Sequence, residues 1–164
     1  MELILNYKDQ QFICLYDAID HELISQYSWS YSNGYAVTTI KGKTVLMHRL
    51  ILGLIDKPEI EVDHQFHKKL DNRRSEIRAC THTQNLRNSR KLNGFSKFKG
   101  VYRDQNKCKV QITNDEKQIT IGRFRSEVTA GKVYDKAARD LFGEFANPNF
   151  KEVNQDPEQL TIKL

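Results

Sequence analysis

Asp63 and His64 stand side by side in this chain, and Asn85 follows downstream beyond a basic, mostly polar stretch. An imidazole titrating near neutrality is suited to take a proton from water. A carboxylate and an amide oxygen are hard donors that suit magnesium, which keeps its other positions for water and phosphate oxygens. Those are the needs of phosphodiester hydrolysis: an activated water, neutralised charge on the phosphate, and help for the leaving oxygen. An Asp-His pair carries little information alone. A second pair, Asp20-His21, has no comparable basic loop or Asn partner and reads as a helix-start carboxylate beside a surface histidine.

The elements around the first pair make it informative. Glu61-Val62-Asp63-His64 reads as a strand ending in a polar loop, and Ile77-Arg78-Ala79-Cys80 as the returning strand. Thr81-His-Thr-Gln84 fits a capping box at the start of a helix running to about Ser89. Strand, loop, strand and helix would bring Asp63, His64 and Asn85 near one another. Upstream, residues 10–46 are strand-rich, with Asn33-Gly34 as a hairpin signal between Ser28-Trp-Ser-Tyr and Tyr35-Ala-Val-Thr-Thr-Ile. Short helices are expected over Asp20–Gln26 and Met47–Leu54.

Charge gathers around the same stretch. The chain of 164 residues has a formal net charge of +5 and 38% hydrophobic residues, so two compact modules are as reasonable as one core. From His67 to Lys99 ten Lys or Arg face two acids, Asp71 and Glu76. That clustering reads as a phosphate-backbone footprint, with a solvated basic surface as the bland alternative. Cys14, Cys80 and Cys108 are far apart, which argues against a zinc knuckle or disulfide framework and fits a reducing cytoplasm. The amino terminus lacks signal-peptide features, and the run Val45–Ile55 is too short to span a bilayer and is broken by His48-Arg49. A soluble cytoplasmic protein that contacts no membrane is expected.

Lys91–Ser96, holding Asn93-Gly94, is the best linker candidate. Beyond it, three strands are expected over Phe98–Arg103, Lys107–Thr113 and Gln118–Phe124. In the second, Cys108, Val110 and Ile112 alternate with polar residues, so one face is apolar. Ser126 caps a helix with an apolar stripe of Ala130, Val133, Tyr134, Ala137, Ala138 and Leu141, and Gly143 stands at its carboxyl end. Residues 151–164 show no pattern and read as a tail.

Val62-Asp63-His64, Leu70-Asp71-Asn72-Arg73-Arg74 and Cys80-Thr81-x-x-x-Asn85-x-x-Asn88 closely resemble the HNH endonucleases of phage and mobile elements, as does the preceding Met47-His48-Arg49-Leu50. Phe98-Lys-Gly-Val-Tyr102, Ile121-Gly-Arg-Phe124, Tyr134-Asp-x-Ala-Ala138 and Leu141-Phe-Gly-Glu-Phe-Ala146-x-x-Asn149-Phe150 are similar to the Apetala/ethylene-response-factor DNA-binding domain. The resemblance covers about residues 1–150, and the two modules stand in the order found in HNH homing endonucleases. It implies an α+β protein. A ββα-metal nuclease module with a strand-rich amino-terminal part would occupy residues 1–92 and a linker 93–97. A three-stranded antiparallel sheet packed on one helix would occupy 98–150, before the tail.

The implied activity is metal-dependent hydrolysis of double-stranded DNA in a bacterial or phage-infected cell, by a monomer or a dimer. His64 would be the general base, and Asp63 and Asn85 would hold Mg2+ or Mn2+. Arg73, Arg74, Arg78 and Arg87 would contact phosphate or support the fold, while His48, Asn72 and Asn88 would be supporting residues. The second module would present Lys99, Tyr102, Arg103, Lys109, Gln111, Thr113, Gln118 and Thr120 to DNA.

Two departures stand against the pattern. The family has Asn-Gly at the loop tip where this chain has Phe66-His67, residues poorly suited to a turn with φ > 0, so a rebuilt loop is expected. Glu76 replaces an Asn that pins the loop, and an ionised Glu accepts but does not donate. They motivate the alternative of a catalytically silent DNA-binding protein. A structural or protein-interaction module is a third, weaker reading.

Overall fold

The computed structural model describes residues 1–89, 95–115 and 117–150. The chain divides into two units, Met1–Asn88 and Ser89–Leu164. Of the expected linker, 93 and 94 lie outside the described residues, as does the whole of the tail 151–164.

The strand-rich part of the first unit begins earlier than expected. β1 (Glu2–Tyr7) and β2 (Gln10–Leu15) form an antiparallel hairpin in which Leu3 faces Cys14 and Leu5 faces Phe12. Leu5 and Cys14 are fully buried, whereas Ile4 and Ile13 face outward. The run Leu3-Ile4-Leu5 hides this alternation because its outward residue is also apolar.

A 3-10 turn (Ala18–Asp20) and α1 (His21–Ile24) replace the single expected helix. A three-stranded antiparallel sheet follows, ordered β3 (Ser30–Ser32), β4 (Tyr35–Ile40), β5 (Lys43–Leu46). Asn33 and Gly34 both take positive φ, 51° and 91°, as a tight hairpin turn requires. α2 (Met47–Ile51) buries Met47, His48, Leu50 and Ile51 against this core. Arg49 binds the carbonyls of Leu54, Lys57 and Ile60, fixing the loop that delivers the next strand.

β6 (Glu61–His64) and β7 (Ile77–Cys80) then pair antiparallel, with Asp63 opposite Arg78. α3 (His82–Asn88) completes a strand-strand-helix unit. Its start carries the expected reciprocal cap: Gln84 N–H donates to Thr81 Oγ1, and Thr81 N–H donates to Gln84 Oε1.

In the second unit β8 (Val101–Asp104), β9 (Lys107–Asn114) and β10 (Lys117–Phe124) form an antiparallel sheet ordered β10-β9-β8, with a register shift between Thr120 and Gly122. α4 (Glu127–Phe142) starts at Ser126, whose hydroxyl accepts from Thr129 N–H. It buries Ala130, Tyr134, Ala138 and Phe142 against Phe98, Val101, Val110 and Ile112. Leu141, expected in the stripe, is exposed, and Phe142 takes its place in the core.

Arg103 also needs correcting. Successive strand residues point to opposite sides, and the register sets Tyr102 opposite Lys109 but Arg103 opposite Cys108. Arg103 therefore shares its side with the apolar residues, its guanidinium over the Phe95 ring.

Buried Asp135 accepts from the backbone N–H groups of Asn149 and Phe150 and from the Asn149 amide, so the chain after α4 is fastened to it. No helix among the described residues is long and apolar enough to cross a membrane.

The tightest approach in the second unit is at Gly100, where φ is +74° and an added Cβ would lie 1.9 Å from Tyr134 Cδ2. Gly100→Ala is therefore expected to destabilise the sheet-helix packing by about 3 kcal/mol or more, from strain and forced displacement of a buried ring. Urea denaturation followed by tyrosine fluorescence checks this; an unchanged midpoint would show that the close approach is not required.

Candidate active site

The β6-β7-α3 unit gathers Asp63, His64 and Asn85 on the walls of one cavity of about 140 Å3, also lined by Tyr35, Val62, His67 and Lys69. Its centre is Asp63, only 5% exposed. The cross-strand register places Arg78 opposite it, and Arg78 Nε and Nη2 both reach Asp63 Oδ2, at 3.1 and 2.9 Å. From α3, Asn88 Nδ2 donates to both carboxylate oxygens at 2.8 Å and lies 3.4 Å from the His64 carbonyl. Asn88, rather than Asn85, is thus the amide bonded to Asp63.

Asn85 Nδ2 instead donates to Glu61 Oε2 at 2.6 Å, leaving its carbonyl oxygen as the atom with ligand character. His82 Nδ1 meets the other Glu61 oxygen at 2.7 Å. The hydrogen bonds from Asn85 and then His82 hold Glu61 below the usual carboxylate range.

His64 is held by a buried relay. Asn72 is 1% exposed; its Oδ1 lies 3.3 Å from His64 Nε2, and its Nδ2 lies 3.1 Å from Cys14 Sγ. The Cys14 thiol donates to Met47 Sδ, so its sulfur is the acceptor for the Asn72 amide. Asn72 Oδ1 can only accept, which makes Nε2 the protonated nitrogen of His64 and Nδ1 the basic one. Burial pushes the His64 pKa down, partly opposed by Asn72 and by the carboxylates of Asp63 and Asp71.

His48 sits beside it, ring centroids 4.9 Å apart and nearly perpendicular. Burial, then His64, then Arg49, push His48 down to about 3. It is a neutral packing partner at physiological pH.

The loop keeps its tight turn despite Phe66-His67. His67 takes φ 60° and its N–H donates to the His64 carbonyl, so this residue adopts the positive φ that a tight turn calls for. The pinning expected of an amide at position 76 is supplied elsewhere. Gln65 Nε2 donates to the Ser75 carbonyl, Gln65 N–H donates to the Glu76 carbonyl, and Asn72 N–H donates to the Leu15 carbonyl.

The expected phosphate contacts are largely committed to internal partners. Arg74 forks Asp20 at 3.1 and 2.7 Å and also binds the Ile51 carbonyl, so Asp20 stands at the start of α1 as expected, but its buried carboxylate pairs with Arg74 and makes no cap bond. Arg78 is nearly buried on Asp63. Arg73 forks Asp71 but stays half-exposed. Arg87 lies partly buried on α3.

In the second unit Lys99 Nζ donates to the Ser89 carbonyl, and burial pushes Lys99 down to about 8. Tyr102, Lys109, Gln111, Thr113, Gln118 and Thr120 share one sheet side by register, and Gln111 Nε2 bonds Gln118 and Thr120.

Sequence reasoning missed Glu61, Tyr35 and Lys69. Glu61 had a signal, since it lies two residues before Asp63 on a strand and so shares its face. Tyr35 and Lys69 are carried to the cavity by a hairpin and a loop, with no local signature.

Among the described residues no group of three or more His, Cys, Asp and Glu could hold a metal ion. The donors that meet here are Asp63 and the Asn85 amide oxygen, a hard-oxygen pair that fits a divalent ion keeping several waters. A carboxylate offers about four lone-pair directions. The Arg78 fork occupies the Oδ2 side of Asp63.

Removing the cation of a buried pair leaves a desolvated charge. Arg78→Met is expected to cost about 3–5 kcal/mol. Thermal denaturation beside Arg78→Lys checks this; a Met variant as stable as wild type would mean that Asp63 does not depend on the fork.

No family model matches the chain, and no solved structure matches it. An uncharacterized HNH endonuclease of Acanthamoeba polyphaga mimivirus is 35% identical over 133 residues, which span 77% of this chain and 69% of that relative. With the strand-strand-helix unit and its Asp-His-Asn cavity in place, that similarity settles the family: the chain belongs to the HNH endonucleases.

Proposed function

We propose that the chain is a divalent-metal-dependent endonuclease of the homing type that hydrolyses phosphodiester bonds in double-stranded DNA. The observation that carries this reading is the meeting of Asp63, His64 and Asn85 in one cavity. His64 serves as the general base: burial keeps its imidazole neutral, and Asn72 fixes the tautomer, leaving Nδ1 to accept a proton from water. Asp63 and the Asn85 carbonyl oxygen would hold Mg2+ or Mn2+, which when bound supplies charge neutralisation at the phosphate and its leaving oxygen. Arg78 and Asn88 hold the Asp63 carboxylate in place. His48 packs the back of the His64 ring.

The second unit serves as a DNA-binding module of the Apetala type. What supports this is the polar sheet side of Tyr102, Lys109, Gln111, Thr113, Gln118 and Thr120. With Arg103 on the other side, that surface has few arginine forks for guanine, so its readout of base edges is weak and its contribution is mainly positioning.

One observation favours a second reading, a DNA-binding protein that does not cut. The Arg78 fork and Asn88 already compensate Asp63, so a buried carboxylate here is stable without a metal ion.

Supercoiled plasmid and duplexes from the native locus, incubated with Mg2+ or Mn2+, separate the two. Under the nuclease reading, nicking is lost in EDTA, and His64→Ala lowers its rate by about 10²–10⁴-fold, the range for a general base. Asp63→Asn should abolish metal-dependent nicking, and because it also removes the carboxylate that Arg78 and Asn88 bind, its thermal denaturation is measured beside wild type to separate loss of the ligand from loss of the fold. Tight, salt-sensitive binding with no cleavage of any of these substrates would select the silent protein.

A further inference from the structure

A second cavity opens beside the catalytic one. It has a volume of about 490 Å3, and His67 and Lys69 belong to the walls of both. One wall is aromatic: Phe12 of β2 and Tyr31 of β3 stack face to face, centroids 3.9 Å apart and planes within 9°, so that each ring covers one face of the other and a further ring can only extend the stack. Both rings are only partly buried, and Ile13, 57% exposed and on the opposite side of β2 from Phe12, borders the groove. The facing wall is the loop that carries exposed Lys68 and Lys69.

Lys69 is placed rather than loose. Its stem lies across Gly34, where an added Cβ would be 3.1 Å from Lys69 Cδ, and its ammonium sits 4.4 Å from the centre of the Tyr35 ring. Tyr35 in turn lines the cavity of His64. The ammonium therefore stands at the seam between the aromatic groove and the candidate catalytic residues.

We propose that this groove takes one unpaired nucleotide of the strand being cut, its base against the Phe12–Tyr31 wall and its phosphate at Lys69 and Lys68. The assignment rests on the nuclease reading and names the form of DNA that the site prefers. A fully paired duplex turns sugars and phosphates outward and offers no base face to an aromatic wall. An unpaired nucleotide offers an apolar π-face and an anionic phosphate together, matching an apolar wall opposite two ammonium groups. The groove is also of ligand size, within the usual range of about 300–1,000 Å3. Unstacking a base costs least where it is already unpaired or mismatched, so substrates distorted beside the cut bind best.

The test uses full-length protein and two fluorescent duplexes of the same sequence, one fully paired and one with a three-nucleotide bubble. Binding is measured in EDTA, and cleavage by wild type is measured separately with Mg2+ or Mn2+. The bubble duplex should bind about ten-fold more tightly, as base–aromatic stacking allows. Phe12→Leu keeps apolar volume but removes a ring. Ile13→Glu sets a carboxylate at the border of the groove, at an exposed position that folding does not need. Each should erase the preference while leaving binding of the paired duplex within about two-fold. Equal binding of both duplexes by wild type, or a preference that survives both variants, would overturn the assignment. Cleavage without a bubble preference would sink the groove and spare the nuclease reading. A bubble preference that the variants erase, without cleavage of either duplex, would sink the nuclease reading and leave the nucleotide groove standing.

Discussion

The buried amide of Asn72 is the constraint on which the catalytic corner depends. It is the point where β2, the loop after β6 and the His64 ring meet: the side chain bonds Cys14 Sγ and His64 Nε2, and the residue's backbone N–H donates to the Leu15 carbonyl. A primary amide is well matched to that position because it donates on one side and accepts on the other, and both sides are used. A hydrophobic residue of the same size would leave His64 Nε2–H without its acceptor in a dry site, at a cost of about 1–3 kcal/mol. An aspartate would bring an unpaired charge. The amino-terminal hairpin thus does more than fill the core, since its cysteine and backbone hold the amide that orients the His64 ring.

The carboxylate of Asp63 answers to a different balance. Its burial is possible only because Arg78 faces it across the strand pair and Asn88 reaches it from α3. The same contacts fix its geometry and reduce its negative charge as seen by a cation. A ligand set with one carboxylate and one amide oxygen suits an ion that brings waters and substrate phosphate into its own shell. Under the proposed metal-dependent reading, the protein's share of the site would be orientation, and the phosphate would supply the rest of the negative charge. Affinity for the ion should therefore depend on whether DNA is bound.

Most of this was legible in the sequence where the signal was local. The capping box at Thr81, the Asn33-Gly34 turn and the alternation of β9 each depend on a few neighbouring residues, and each formed as read. The meeting of Asp63, His64 and Asn85 followed from element order alone. What the sequence hid was long-range pairing. Asp20 and Arg74 lie far apart in the chain, and nothing near either one marks them as a buried ion pair. The same holds for Asn72 and Cys14. At the loop tip the sequence misleads for the opposite reason, since positive φ is not reserved for Asn and Gly. Histidine is among the residues that tolerate the left-handed region, and His67 adopts it with its N–H bonded to the His64 carbonyl.

The basic stretch shows why counting charges overstated the phosphate footprint. Arg73, Arg74 and Arg78 lie within it, and each guanidinium forks a carboxylate of the protein itself: Asp71, Asp20 and Asp63. Arginine suits that task because its planar array of donors matches a carboxylate bidentately. Lysine carries a compact, strongly hydrated charge on a flexible stem, and in the first unit Lys68 and Lys69 are the exposed cations beside the cavity. The division of labour follows from the side-chain chemistry: these arginines build the scaffold, and the lysines keep exposed charge beside the cavity. An interface of that kind holds the backbone through point charges, which carry no sequence information directly. Were exposed lysines of this kind to hold the DNA backbone, sequence preference at that surface would come from the shape and deformability of the DNA rather than from base contacts.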